Sequence, residues 1–402
     1  MDAQTQSHTG KETLMTTRKP ATIAVRTGIE SDTQYHAVVP PIYLSTNYGF
    51  PAFGEVPKYD YTRSGNPNRN LLEEALSELE CGVGATITNC GTSALNLWVS
   101  ALVGPEDTII APHDCYGGTY RLFNTRAQKG DFKVLFVDQS NETEFAKALE
   151  KKPKLILLET PSNPLVRVVD IAKVCQQAHA VGALVAVDNT FLTPVYQKPL
   201  TLGADFVIHS TTKYINGHSD VIGGVVISKD AEHAEKIAWW GNCIGATGTP
   251  FDSYMTLRGL RTLPARMRQH EESSKQILDY LLTQDLVKVV YHPSLPDHPG
   301  HDIAKKQQSG FGSMLSFELN GSYEQLKVFV SSLQLFSLAE SLGGVESLIC
   351  HPATMTHRAM GEKALAEAGV SQLLLRVSVG LEDAEDLIAD LGQAFNKAKE
   401  IC

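Results

Sequence analysis

Between residues 85 and 187, short and predominantly apolar runs alternate with stretches whose apolar residues recur at helical spacing; this limits the fold more than any other feature. It predicts strands at 85–88, 108–111, 134–137, 155–158 and 184–187, with helices at 92–103, 119–128, 142–149 and 171–180 between them. A strand that is apolar on both sides must be covered on both faces. The pattern therefore implies an α/β architecture, a mostly parallel sheet covered by helices. Ligands of such sheets bind beyond the carboxyl ends of the strands, so the residues just after each apolar run are the ones to inspect.

The rest of the chain is organised around that block. At 402 residues and 43% hydrophobic content, the sequence exceeds what one simple core would hold. Residues 22–63 carry turn formers and aromatics (Pro40, Pro41, Tyr43, Tyr48, Phe50, Phe53) without periodicity, which reads as an extended arm lying on another surface, such as a neighbouring subunit. Asn68 reads as the N-cap of a helix whose apolar face is Leu71, Leu72, Ala75, Leu76 and Leu79, ended by Cys81 and Gly82. Past residue 251 the pattern changes to a long helix at 262–282, strands at 287–290, 313–318 and 373–378, and helices at 324–331 and 383–399. The expected organisation is an N-terminal arm over 1–63 with its first 18 residues disordered and Met15 as an alternative start, a ligand-binding domain over 64–256, and a smaller α+β domain over 257–402.

Composition removes several classes of function. The net charge of −10 argues against a nucleic-acid footprint. No apolar run is long enough to cross a bilayer, and the first residues lack the apolar segment of a secretory signal. Seven scattered cysteines without a C-x-x-C pair read as reduced thiols, with neither a disulfide framework nor a zinc cage. A cytoplasmic protein is the expectation. The loop holding His292, His298 and His301 is broken by Pro293, Pro296 and Pro299 and reads as a solvated turn instead of a metal site.

The strand ends carry the chemistry. After 85–88 comes Asn89-Cys90-Gly91-Thr92-Ser93, where a glycine lets the backbone turn into a helix whose free N–H groups suit a phosphate. After 108–111 comes Tyr116 beside two glycines, where a flat ring could approach, although an ordinary turn with a packed tyrosine fits equally. Asn163 follows 155–158 and offers a donor. After 184–187 stands Asp188, a carboxylate at a buried strand end that costs several kcal/mol unless a cation or donors meet it. The next apolar run, 206–208, opens into His209-Ser210-Thr211-Thr212-Lys213. Taken alone, Lys213 also fits a surface lysine after a strand and Asp188 a helix N-cap; held in the protein, the lysine is poorly solvated, its pKa falls, and its free amine becomes available as a Schiff-base nucleophile. Hydroxyls at Ser210 and Thr212 are placed for a phosphate on the same ligand. An amine for an aldehyde and a carboxylate for a protonated pyridine nitrogen are the two polar contacts that pyridoxal 5'-phosphate requires.

From about residue 19 onward the chain resembles the Cys/Met-metabolism family of pyridoxal-phosphate enzymes, of fold type I. The matching segments are YTRSGNP at 61–67, PHDCYGGTYR at 112–121, ETPSNP at 159–164, VDNTF at 187–191, HSTTKYINGHSD at 209–220, LAESLGGVESL at 338–348 and LRVSVGLE at 375–382. The resemblance implies that Lys213 carries the cofactor covalently, Asp188 pairs the ring nitrogen and Tyr116 stacks on the ring. It implies a phosphate site of Gly91, Thr92, Ser210 and Thr212, completed by Tyr61 and Arg63 of a partner subunit in a homotetramer. Arg376 would clamp the substrate carboxylate from a half-buried position, Asn163 and Ser341 would orient cofactor and substrate, and Arg121 and Glu340 would steer the substrates' distal groups. The implied reaction is γ-replacement, joining an O-acylated homoserine, the succinyl ester foremost, to cysteine on the transsulfuration route to methionine. Alternatives of the same family are γ-elimination from cystathionine and sulfhydrylation of the acylhomoserine, and a non-catalytic cofactor-binding partner protein is a third. Thr92 stands where the family often has methionine and Asn68 where it often has threonine.

Overall fold

In the computed structural model, which describes residues 18–358, 361, 365, 366 and 368–401, the apolar runs form one seven-stranded sheet. The expectations for residues 1–17 and for Cys402 lie outside the described residues. The strands are β1 (Gly84–Thr88), β2 (Thr108–Pro112), β3 (Lys133–Val137), β4 (Leu155–Glu159), β5 (Leu184–Asp188), β6 (Phe206–Ser210) and β7 (Gly224–Ser228), in the order β1-β7-β6-β5-β4-β2-β3. Strands β3, β2, β4, β5 and β6 pair in parallel, and β7 runs antiparallel to both β6 and β1. Their residues alternate faces as the pleat requires. Val187 and Val207 join one buried cluster, while Ala186, Phe206 and Ile208 join another with Trp98 on the opposite face. Burying side chains of this size contributes about 1.5–3 kcal/mol each, so both faces hold the strand ends in place.

Ten helices of the first 281 residues are relevant here: α1 (Pro20–Arg26), α2 (Pro67–Glu80), α3 (Gly91–Leu102), α4 (Gly117–Gln128), α5 (Glu142–Leu149), α6 (Ile171–Ala180), α7 (Thr193–Tyr196), α8 (Ala231–Ile244), α9 (Pro250–Leu260) and α10 (Leu263–Leu281). The N-cap of α2 is Asn66, not Asn68. Its side chain accepts from the amides of Asn68 and Arg69, and Pro67 occupies the first helical position, where a missing N–H costs nothing. Asn68 instead accepts from the Tyr43 amide at 2.7 Å and donates to the Pro41 carbonyl at 2.7 Å, fastening the arm to the domain. Among the arm's described residues, pairing with strand geometry is limited to a bridge between Asn47 and Tyr61. Tyr35, Leu44, Phe53 and Val56 stand exposed along it.

A second, five-stranded sheet combines β8 (Val287–Tyr291), β9 (Met314–Leu319), β10 (Ser337–Leu338), β11 (Leu348–Cys350) and β12 (Leu374–Ser378) in the order β10-β11-β12-β9-β8. The long helix α10 and the last helix, Ala384–Lys399, pack on it around Phe317, Phe329 and Phe395. In the histidine loop, His292 is buried and shares a 2.7 Å hydrogen bond with the Ser294 hydroxyl, and His301 stacks on Phe311. Among the described residues no group of three or more His, Cys, Asp or Glu is placed to hold a metal. No described helix is long and apolar enough to cross a membrane.

Candidate active site

A cavity of about 780 Å³ opens where the carboxyl ends of β4, β5 and β6 meet the segment between β10 and β11. Lys213, Asp188, Tyr116, Asn163, Gly91, Thr92, Ser210, Thr212, Glu340, Ser341 and Arg376 all line it. Eleven positions chosen from seven separate segments thus converge on one space. Tyr61, Arg63 and Arg121 do not line it within a single chain. Arg63 donates to the backbone and side-chain oxygens of Asn242 at 2.7 Å each, and its guanidinium lies over the Tyr61 ring. Arg121 is exposed on α4, whose buried face is carried by Gly117, Gly118, Thr119 and Phe123.

Lys213 follows β6 by three residues. Its Nζ donates to the Ser341 hydroxyl at 2.6 Å. Burial pulls the amine down to about 8 and the nearby Arg376 charge adds to this, with Glu340 opposing. A free amine is therefore accessible near neutrality. Ser341 is held with φ at 80°, a left-handed conformation that costs a non-glycine residue about 1–3 kcal/mol and aims its hydroxyl at the lysine. The turn after Lys213 is gripped by Arg266 of α10, which donates to the carbonyls of Tyr214, Ile215 and Gly259 at 2.7, 3.2 and 2.9 Å. Gly217 (φ 73°) closes that turn, and a Cβ there would sit 2.1 Å from the Arg266 guanidinium.

Asp188 ends β5 with its unburied surface on the cavity. Burial pushes its carboxyl upward, against two hydrogen bonds from Thr190 and the His209 charge. Directly opposite it on the neighbouring strand, in the register of β4 and β5, stands Glu159. Among the described residues neither carboxylate has a cation hydrogen-bonded to it. A bound ring with a protonated nitrogen would answer that shortage.

The phosphate end fits as well. Cys90 caps α3 and Gly91 begins it, so the helix's free N–H groups face the cavity. A Cβ at Gly91 would meet the Ser210 Cβ at 2.8 Å, which keeps the two segments close enough for both to reach one anion. The Thr212 hydroxyl donates to the Gly223 carbonyl at 3.2 Å and accepts its amide at 3.0 Å, fixing the loop rim. Donors at one end, an acceptor pair at the other and an amine between them suit pyridoxal phosphate.

Arg376 on β12 is buried, not half-buried as its sequence setting implied, because β9 and β11 flank its strand. Nη1 donates to the Asn163 side-chain oxygen at 2.9 Å and Nη2 to the Ser341 carbonyl at 2.7 Å, while Nε has no partner. An unpartnered guanidinium N–H in a cavity wall is a seat for a carboxylate oxygen. Sequence reasoning passed over Glu159, Thr190, Ser219 and Glu346, which also line the cavity. Glu159 carried the same signal as Asp188, an acid ending an apolar run. Ser219 and Glu346 are joined by a hydrogen bond between the lysine loop and the segment between β10 and β11, which no local pattern announces.

The sequence matches the Cys/Met metabolism PLP-dependent enzyme family over residues 21–396. It is 58% identical to cystathionine gamma-synthase of Escherichia coli (strain K12), across 96% of this chain and 100% of that protein. It is 41% identical to cystathionine gamma-lyase of Bacillus subtilis (strain 168), across 94% of this chain and 99% of that one. The crystal structure of cystathionine gamma synthase from Xanthomonas oryzae pv. oryzae in complex with cystathionine superposes with a TM-score of 0.95 at 54% identity, covering 96% and 100% of the two chains. Sequence, fold and the convergence of Lys213 with Asp188 agree, and the chain belongs to the Cys/Met-metabolism family of pyridoxal-phosphate-dependent enzymes.

Proposed function

We propose that this chain joins O-succinyl-L-homoserine to L-cysteine by γ-replacement, giving L-cystathionine and succinate. Cystathionine synthesis dependent on pyridoxal phosphate is the activity its full-length similarity to the Escherichia coli and Xanthomonas enzymes supports. The succinyl donor, the residue roles below and the placement of this step on a cytoplasmic route to methionine are our reading. The observation that carries it is a lysine amine at about 8, a buried strand-end carboxylate and a guanidinium with a free N–H around one cavity.

When bound, pyridoxal phosphate supplies an aldehyde for exchange with the substrate amine and a sink for charge that develops on the adjoining carbons. Asp188 would keep the ring nitrogen protonated, and Tyr116 and Asn163 would hold the ring. Gly91, Thr92, Ser210 and Thr212 take the phosphate. Arg376 receives the substrate's α-carboxylate through Nε, with Asn163 and the Ser341 carbonyl keeping the guanidinium plane fixed. As a free amine, Lys213 Nζ would take the proton from Cα and, once that proton has passed on, one from Cβ. Ser341 accepts from that amine and keeps it over the cavity. The C–O bond at Cγ would break with loss of succinate, the cysteine sulfur would add at Cγ with its thiol proton balancing the released carboxylate, and Lys213 would return one proton to Cβ and then one to Cα. Glu340, exposed at the rim, is positioned for the ammonium group of the incoming cysteine.

Tyr61 and Arg63 reach a phosphate only from another copy, so we infer a homo-oligomer, a tetramer built of site-sharing dimers. The exposed Tyr35, Leu44, Phe53 and Val56 of the arm support that reading. The cationic Lys58 and Arg63 of such an arm would give the far carboxylate of a succinyl ester a charge to meet, which an acetyl ester lacks. Similarity to a γ-lyase favours a second outlet: without cysteine, the same groups would release 2-oxobutanoate and ammonia by elimination. Product analysis with O-succinylhomoserine, with and without cysteine, tests both. Cystathionine with cysteine and 2-oxobutanoate without it is the expected pair; absence of cystathionine would sink the proposal.

A further inference from the structure

The two walls that would hold the cofactor ring share one root. Glu159, the last residue of β4, is 9% exposed and lines the cavity floor. One of its oxygens accepts the backbone N–H of Tyr116 at 2.9 Å, and the other accepts the backbone N–H of Asn163 at 3.1 Å. Asn163 in turn accepts from Arg376. A single carboxylate therefore spans the two residues proposed to hold the ring and, through Asn163, the carboxylate clamp.

Sheet geometry fixes this bridge. In the register of β4 and β5, Glu159 stands opposite Asp188. Burial pushes the Glu159 carboxyl upward, and the Asp188 and Asp114 charges push the same way, against the two amide hydrogen bonds. Asp114 is itself taken up by Arg167 and the Ser162 hydroxyl. A buried acid beside two others would be replaced at little loss by an apolar residue if packing were its only task. Both amide bonds run to backbone, so changing the Tyr116 or Asn163 side chain leaves them in place.

We propose that Glu159 is a positioning residue of the cofactor site, setting the spacing between Tyr116 and Asn163 and thereby the seat of the ring. The inference rests on the cofactor placement proposed above. Only a group with an acceptor on each side performs this task. Glutamine must turn its NH₂ towards one of the two N–H donors, and aspartate, one methylene shorter, cannot reach both.

The test adds pyridoxal 5'-phosphate to wild-type, Glu159→Gln and Glu159→Asp apoproteins. It measures the dissociation constant, the visible circular dichroism per bound cofactor and the melting temperature. Wild type must first bind the cofactor and show the visible band; if it does not, the underlying reading of the site fails, whatever Glu159 does. The expected result is a roughly tenfold weaker dissociation constant for Glu159→Gln, with at least half of the dichroic signal per bound cofactor lost, and Glu159→Asp between it and wild type. A purely structural role would lower the melting temperature and leave affinity and dichroism at wild-type values in either variant, which overturns the proposal. Should Glu159→Gln not fold, Glu159→Asp decides alone by the same two readings.

Discussion

The cavity floor and the N-terminal arm solve opposite problems. At the floor, Lys213, Asp188, Arg376 and Asn163 come from four elements of one chain, and most of their polar atoms find partners inside it. Along the arm, Phe53 is fully exposed and Val56 nearly so, and the Arg63 guanidinium lies over Tyr61 and donates to Asn242. A floor made by strand ends is rigid because two apolar clusters fix the strands, whereas an arm without a core of its own takes its order from what it lies on. The difference teaches that one chain brings the proposed reacting groups together by itself, whereas the arm is left with surface that a proposed second copy would cover.

The sharpest way to break that division is to damage each half separately. Lys213→Ala should abolish the visible cofactor absorption and lower turnover towards the upper end of the roughly 10²–10⁴-fold range for a proton-transfer group. Arg63→Ala should bind cofactor weakly. If the halves come from different chains, unfolding and refolding the two variants together should recover activity that neither has alone. Equal inactivity in the mixture would place both functions within one chain.

Arg376→Lys keeps the charge but loses the planar fork. It should raise KM for the acylhomoserine by about 10- to 100-fold, the range expected when a charged hydrogen bond worth about 1.5–3 kcal/mol is lost, with a smaller change in kcat. An unchanged KM would remove Arg376 from the substrate contact. A gentler probe is pH. With Lys213 at about 8, the rate of cofactor capture by the apoprotein should climb about tenfold per unit below that value and level off above it. The same depression means that the unfolded chain holds the lysine proton to higher pH than the folded one. The lysine's contribution to apoprotein stability should therefore rise with pH from about 8 until the unfolded lysine titrates. A flat capture profile between pH 7 and 9 would contradict the burial of the amine.

The smallest effect concerns the arm. Asn66→Ala removes the cap of α2 and the side-chain donation to the Tyr43 carbonyl at 2.9 Å, and should cost about 1 kcal/mol in thermal unfolding. Loss of cofactor affinity beyond that would show that the cap also orders the arm for its proposed partner.

Much of the sheet was legible because strands covered on both faces must be written in apolar residues, and β2 to β6 were. An acid or lysine directly after such a run stood out against them, as Asp188 and Lys213 did. Strand β7 escaped because it returns antiparallel after the lysine loop, outside the strand-helix alternation. The cap of α2 was misplaced by two residues since two asparagines flank Pro67, and only the tertiary pull of Tyr43 and Pro41 decides between them. Contacts such as Ser219 with Glu346 join positions over a hundred residues apart, and sequence spacing carries no trace of them.

Arg266 reaches from the helix that leads into the second sheet and ties down two carbonyls of the lysine's own turn together with that of Gly259 on α9. To swing α10 as a hinge would strand several buried acceptors and a cation, a penalty of several kcal/mol. The two sheets of the chain are thus geared together at the amine proposed to be catalytic, so that neither can turn without moving the lysine's own turn.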